Sequence, residues 1–186
     1  FQFLTLLRNN SELPTEEHPF TIASSPLQEY IESTIKESGD FTSTVKETRP
    51  GDRAAVHAPF GHFSYLLHPE RDDFVFIAGG IGITPLMSML RHMRDTNTRA
   101  KVLLLYANKT EADIVFSEEL SQIEKGETPQ LQVIHRLSKP GAAWTGERGY
   151  LDRENMRRLV GDNVKNRAFY ICGPPPMMDM VIQGLK

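Results

Sequence analysis

A single cysteine, Cys172, in 186 residues leaves no partner for an internal disulfide and fits a reducing compartment. Blocks of one charge are also missing. Lys, Arg, Asp and Glu make up 24% of the chain, lie interspersed and sum to −3, so neither a nucleic-acid groove nor a polybasic membrane surface is indicated. No apolar run approaches the ~20 residues of a membrane helix, and no signal peptide is visible. His57, His62, His68, His92 and His135 show no pairing with Cys, Asp or Glu at ligand spacing, so no metal site is expected. A cytoplasmic placement follows, with membrane contact only through a segment outside these residues, such as one that would hold the protein at the cytoplasmic face of a membrane.

What the chain does contain is a change of texture. Up to residue 69 it reads as short strands, "FLTLL", "FTIAS", "YIESTIK" and "AAVHAPF", separated by Pro, Gly, Asn and Ser, as in part of a small antiparallel sheet or barrel. "FTSTVKETRPGD" adds one helical turn capped by Thr42. From residue 70 to 186 strands alternate with helices. "FVFIAG", "VLLLYA", "LQVIHRL" and "AFYICG" are apolar runs, three of them without clean alternation, as befits strands buried on both faces. Leu86, Met89, Leu90 and Met93 lie at helical spacing, as do Met178, Val181, Ile182 and Leu185, and Met156, Leu159 and Val160. Asp152 and Gly161 mark the two ends of "RENMRRLV". Such alternation predicts a parallel sheet with helices on both faces. The chain opens inside one apparent strand and stops at Lys186 inside an apparent helix, so a longer parent protein is expected.

Within "FIAGGIGITPLMSML", Gly79, Gly80 and Gly82 follow a buried strand and precede a helix with Thr84 as its cap and Pro85 at its first position. Backbone N–H groups and the helix dipole favour a phosphate there. A Rossmann fingerprint closes with a third glycine or alanine; this turn closes with Pro85. "YICGPPPMMDMV" repeats the layout at a later strand, presenting Cys172 and Gly173 at its tip and then Pro174.

These two motifs together resemble the pyridine-nucleotide-binding domain of the ferredoxin–NADP reductase superfamily, which uses G-x-G-x-x-P and C-G-P-P. The resemblance covers nearly the whole chain. It implies a flavin-binding β-barrel at residues 1–69 and an NAD(P)H-binding α/β domain at residues 70–186. "HPFT" takes the place of the family's R-x-Y-[ST] motif, which implies His18 and Pro19 near the flavin phosphate, Phe20 against the isoalloxazine and Thr21 beside its reactive nitrogen. "SGDFT" supplies Gly39 and Thr42 for the FAD pyrophosphate, and "PFGHF" resembles a G-P-[YF]-G-x-F barrel strand. Gly80, Gly82, Thr84, Pro85, Cys172, Gly173 and Pro174 would hold the pyridine nucleotide, with Thr84 and Cys172 flanking the nicotinamide. Relative to the family, barrel strands ahead of Phe1 and a last strand beyond Lys186 are missing.

His18 departs from the family's arginine, replacing a permanent bidentate partner with one whose charge depends on pH. That version resembles the ferric reductase and NADPH oxidase branch. The implied activity is hydride transfer from NADH or NADPH to FAD, then single-electron transfer to an acceptor in the same or a partner chain: haem, ferric iron, oxygen or an iron–sulfur centre. Lys109, Arg136 and Arg148 could reach a 2′-phosphate, yet "YANKTEADI" looks like NADH-using members, so NADH is preferred. The competing reading is a regulatory domain that binds pyridine nucleotide without turnover. A general Rossmann dehydrogenase is disfavoured, because no histidine or lysine stands at a strand tip to act as acid or base.

Overall fold

The computed structural model describes residues 1–9, 12–161 and 164–185. In chain order its elements are β1 (Gln2–Leu7), β2 (Glu17–Phe20), α1 (Asp40–Thr44), β3 (Arg53–His57), β4 (Asp73–Gly79), α2 (Ile83–Asp95), β5 (Lys101–Asn108), α3 (Ser117–Glu124), β6 (Gln130–Leu137), β7 (Glu147–Arg148), α4 (Arg153–Val160), β8 (Ala168–Cys172) and α5 (Pro175–Leu185). Lys186 lies outside the described residues.

Five strands form a parallel sheet in the order β7-β6-β5-β4-β8. The apolar runs that fail to alternate are at its centre, for a simple reason. Successive strand side chains point to opposite faces, and in β4 Phe74, Phe76 and Ala78 meet α2 and α3 while Val75 and Ile77 meet α4 and α5. Both faces need apolar residues. On α2, Leu86, Leu90 and Met93 are fully buried at i, i+4 and i+7, and each contributes about 1.5–3 kcal/mol by leaving water. The stripe read on the last helix is rotated. Met177, Met180, Val181 and Leu185 pack inward, whereas Ile182 is 47% exposed. Gly184 is buried at the contact between α5 and α4, where a Cβ would sit 2.5 Å from the mobile Met156 Cε and 3.7 Å from the Arg153 backbone.

The first half pairs β2-β1-β3 antiparallel, with Leu4 opposite both His18 and Val56. Leu4, Leu6 and Phe41 form its small core, joined by Phe20, Ile35 and Val45. Two strands expected here differ. The second ends at Phe20, so "TIAS" lies beyond it, and "YIESTIK" forms no strand. Its β-branched residues suit a strand, but no neighbouring strand supplies a ladder. It is held instead by Ala23 N–H donating to Glu32 O, by Glu32 N–H donating to Ser24 Oγ, by Arg91 donating to the Glu32 carboxylate, and by Ser33, whose hydroxyl donates to Thr21 O and accepts from Gln2.

Three N-caps and one C-cap were open to test. Asp152 accepts from the Asn155 N–H while the Asn155 side chain accepts from the Asp152 N–H, and Gly161 closes α4 at φ 77°. Thr84 does not cap α2. The cap is Gly82, Thr84 is the second helical residue, and Pro85 is the third, still inside the first turn where a missing N–H costs nothing. Thr42 likewise lies within α1, behind Gly39.

The two halves meet at α2. Ser88 Oγ donates to Ser24 O at 2.7 Å, and Arg91 Nη1 donates to Ala23 O at 2.8 Å and to Glu32 Oε1 at 2.9 Å. Arg91 Nε and Nη2 grip both oxygens of Glu119 on α3.

Candidate functional site

At the C-terminal edge of the parallel sheet the chain leaves β4 for α2 on one face and the neighbouring β8 for α5 on the other, and a cleft of about 600 Å³ opens there. Ligands of open α/β folds bind at such a switch point. Gly79 and Gly80 form one wall, Asn108 and Lys109 at the tip of β5 another, and Pro174 and Met177 the start of α5. Gly80 has φ +53° and open space where a Cβ would stand. Gly82 serves differently. A Cβ on it would sit 2.2 Å from the Cys172 carbonyl oxygen, so its role is to let α2 lie against the tip of β8. Gly173 packs on Gly79 in the same way, with a Cβ 3.0 Å from the Gly79 backbone.

Asn108 was missed by sequence reasoning. It is 8% exposed, lines the cleft, and neither side-chain oxygen nor nitrogen has a hydrogen-bond partner. A buried amide costs free energy unless something pairs with it. Tyr106 behind it is fully buried, its hydroxyl facing the Asn108 amide and the Val115 backbone without closing a bond to either, and burial pushes its pKa up. The available signal was position, since Asn108 ends an apolar strand at the ligand-binding edge.

Lys36, Lys109 and Lys139 face the cleft. Asp113 does too, held below the usual carboxylate range by hydrogen bonds from the Thr110 hydroxyl and backbone, and by the charges of Lys36 and Lys109. Three cations against one anion favour an anionic ligand. Arg136 does not join them. It is 9% exposed, donates to Tyr150 O at 2.9 Å and pairs with Glu147 at 2.7 Å, so it holds the rim loop instead of reaching a phosphate. Arg148 donates to the carbonyls of Gly141 and Trp144. In that loop Trp144 Nε1 donates to Glu147 O, and the Tyr150 ring, 75% exposed, stands at the cleft edge.

A second cleft of about 630 Å³ crosses between the halves. It brings together Thr21, Pro85 and Cys172, with Phe60, Phe63 and Met89 as apolar walls. Cys172 is half-buried, and burial pushes its thiol up, so it remains a neutral thiol at physiological pH. Other expected site residues lie elsewhere. Phe20 packs against Phe41 at 6.2 Å and does not line this cleft, because it and Thr21 fall on opposite faces of the chain. His18 stacks on Phe41 at 4.0 Å, with Nε2 at 3.0 Å from Glu16, while its neighbour Pro19 is exposed. Thr84 lines neither cleft; it is 3% exposed and its hydroxyl donates to Ile81 O at 3.0 Å. The Thr42 hydroxyl is engaged by Ser38 N–H and Gly39 O, while Gly39 has open space before it. Among the described residues no group of His, Cys, Asp and Glu could hold a metal ion, and no helix is long and apolar enough to cross a membrane.

A parallel sheet with a glycine turn at its switch point, joined across an apolar cleft to an antiparallel sheet, is the architecture of a two-part nucleotide-binding protein. The chain belongs to the oxidoreductase NAD-binding domain family, whose model matches residues 76–183, and an FAD-binding domain model matches residues 1–69. The glycine betaine monooxygenase reductase subunit of Chromohalobacter salexigens is 35% identical over 90% of this chain and 46% of its own length. NADH-cytochrome b5 reductase 1 of Debaryomyces hansenii is 32% identical over 80% of this chain and 53% of its own. The CS and b5R domains of human Ncb5or superpose with TM-score 0.78 at 26% identity, covering 99% of this chain and 56% of that one. The chain spans about half the length of the curated relatives it matches. It carries an NAD-binding and an FAD-binding domain of the ferredoxin–NADP reductase superfamily.

Proposed function

We propose that this module takes hydride from NADH and delivers single electrons to an acceptor in the same or a partner chain. The observation that carries the reading is the cleft between the halves, where Thr21 from the FAD-binding side and Cys172 from the nucleotide side share one apolar space. Flavin, when bound, supplies the conversion of a two-electron donor into one-electron outputs. The chain's own residues bind, orient and exclude water. Phe60, Phe63 and Met89 offer apolar walls suited to a planar ring, Thr21 offers a hydroxyl, and neutral Cys172 offers a small surface that places no charge beside the reacting atoms. His18, Pro19, Phe20, Gly39 and Thr42 are assigned to the rest of FAD by their motif, and Gly80, Pro85, Gly173 and Pro174 to the pyridine nucleotide. The nucleotide fits what is present, since Gly80 leaves room for close backbone approach and the Asn108 amide lacks partners that ribose hydroxyls can provide.

Anaerobic mixing of the FAD-loaded protein with NADH tests the reading. Bleaching of the flavin within a turnover supports it; stoichiometric NADH binding without bleaching would leave the regulatory domain as the better account. Relatives named as cytochrome b5 reductases and a monooxygenase reductase subunit favour a protein acceptor. The ferric reductase branch is the second reading, favoured by the His18-Pro19-Phe20-Thr21 form of the flavin motif. We take residues 1–69 and 70–186 as the two functional units.

Asn108→Ala is expected to weaken NADH about tenfold, the loss of one or two hydrogen bonds, with the melting temperature unchanged because the amide makes no bond inside the protein. Calorimetry with NADH and NADPH on this variant and on Lys109→Ala also tests donor choice. A large NADPH advantage that vanishes in Lys109→Ala would reverse the preference for NADH. Cys172→Ala is expected to slow flavin reduction while costing little stability, and equal reduction rates with a sharp loss of stability would reduce Cys172 to a packing residue.

A further inference from the structure

Thr21 owes its place in the cleft to neighbours that no motif marks. Its carbonyl accepts from Ser33 Oγ at 2.7 Å, and Ser33 Oγ in turn accepts from Gln2 Nε2 of β1 at 2.8 Å, which ties Thr21 to the first sheet. Two residues further on the chain is tied to the other half. Ala23 and Ser24 are almost fully buried, and their successive carbonyls accept from Arg91 and Ser88. Arg91 and Ser88 are three apart on α2 and so share one face. The same helix begins at the Gly82 cap that rests on Cys172. One rigid element therefore touches both sides of the cleft.

Arg91 is suited to this task beyond its charge. It is 6% exposed, and four of its five N–H groups are engaged, by both oxygens of Glu119, by Glu32 and by the Ala23 carbonyl. A bidentate guanidinium fixes orientation as well as distance, which an ammonium group cannot. Glu32 belongs to the strand-like segment that pairs with Ala23, whose N–H donates to Glu32 O at 2.7 Å. Arg91 thus holds both members of that pair against α2.

We propose that Arg91 is a positioning residue for hydride transfer, setting the separation of Thr21 and Cys172 across the cleft through Ala23, Glu32 and the start of α2. This rests on the hydride-transfer reading above. Misplacing reacting groups by about 1 Å can cost on the order of 100-fold in rate, so loosening this clamp lowers the rate of transfer more than the binding of either ligand.

The test compares wild type, Arg91→Lys and Ser88→Ala, and needs two measurements. Amide hydrogen exchange on the protein without ligands is expected to show faster exchange at Ala23 and Glu32 in Arg91→Lys, with β4 and β5 as protected as before. Single-turnover mixing of the FAD-loaded protein with NADH is expected to show a reduction rate at least about tenfold lower, with dissociation constants for FAD and NADH within about twofold. The long-wavelength charge-transfer absorbance of stacked nicotinamide and flavin should weaken in parallel. Ser88→Ala should move both readouts the same way and less. Exchange that speeds at Ala23 and Glu32 while the reduction rate stays at the wild-type value would overturn the proposal. So would a rate loss accompanied by equal loss of protection in β4 and β5, which would make Arg91 merely structural. Wild-type protein that binds both ligands and transfers no hydride would overturn the functional reading and this inference with it.

Discussion

Gly82→Ala is expected to destabilise the protein by about 3 kcal/mol, the upper end for forcing a methyl group into filled space, and to abolish measurable nucleotide binding. The new Cβ would lie 2.2 Å from the Cys172 carbonyl oxygen, 2.6 Å from its carbon and 2.8 Å from the Gly173 nitrogen. All three are backbone atoms at the tip of β8, so no side chain can rotate away. Relief requires α2 to lift from the sheet, and the lift carries Gly80 and Pro85 with it. For a chain of this length the melting temperature should fall by about 6–12 °C. Gly80→Ala is the informative contrast. Its Cβ meets open space, so the cost is about 1–2 kcal/mol for a side chain at positive φ, and affinity falls because the methyl group enters the cleft. Thermal unfolding and calorimetry on the two variants separate them, and a Gly82→Ala protein as stable as wild type would show that α2 does not depend on that approach.

Arg91→Ala is expected to cost about 3 kcal/mol, since removing one member of a buried ion-pair network leaves the others uncompensated. Glu119 keeps Arg94 at 3.2 Å, which places the figure at the low end of such losses. The variant should also change the acid limb of stability. In the wild type burial pushes Glu119 up, but hydrogen bonds and charges from Arg91 and then Arg94 outweigh it, and the carboxyl titrates below its ordinary value. A group whose folded pKa is depressed contributes stability that is present above its unfolded pKa and lost as pH falls through the folded one. Without Arg91 the burial effect is opposed only by Arg94, so the contribution of Glu119 shrinks and the gap between wild type and variant should narrow as pH falls through the carboxylate range. Urea midpoints measured between neutral and acid pH would test this, and parallel curves for variant and wild type would remove Glu119 from the account.

What the sequence revealed and what it hid follow from the range of the interactions. β4 and β5 were legible because burial on both faces forces an unbroken apolar run, and the stripe of α2 because a helix repeats its buried face every three to four residues. The α4 cap was legible because Asp152 and Asn155 are three residues apart and satisfy each other. Thr84 misled for the opposite reason, since a threonine before proline has the composition of a cap, but the helix starts two residues earlier, at Gly82, which approaches Cys172, ninety residues on. "YIESTIK" has strand propensity, and a strand needs a partner that its own residues cannot specify. The clamp at Arg91 had no sequence signature, because its partners stand 28, 59 and 68 positions away. The two tips, at the glycine turn and at Cys172-Gly173, were readable as motifs; the amide of Asn108 emerged only when its lack of partners could be counted.

The rim loop has an optical consequence. Trp144 is the only tryptophan in the chain, and its indole is fixed over Gly146 and bonded to the Glu147 carbonyl, in the loop that runs on to Tyr150 at the edge of the first cleft. Its fluorescence therefore reports from one known place, without the averaging that several tryptophans impose. Reduced nicotinamide absorbs where indole emits and the oxidised form does not, so energy transfer from Trp144 is expected to distinguish the two redox forms if the nucleotide occupies this cleft as proposed. The chain thus carries a single built-in fluorophore on the loop beside that cleft, read together with the flavin absorbance that follows the electrons.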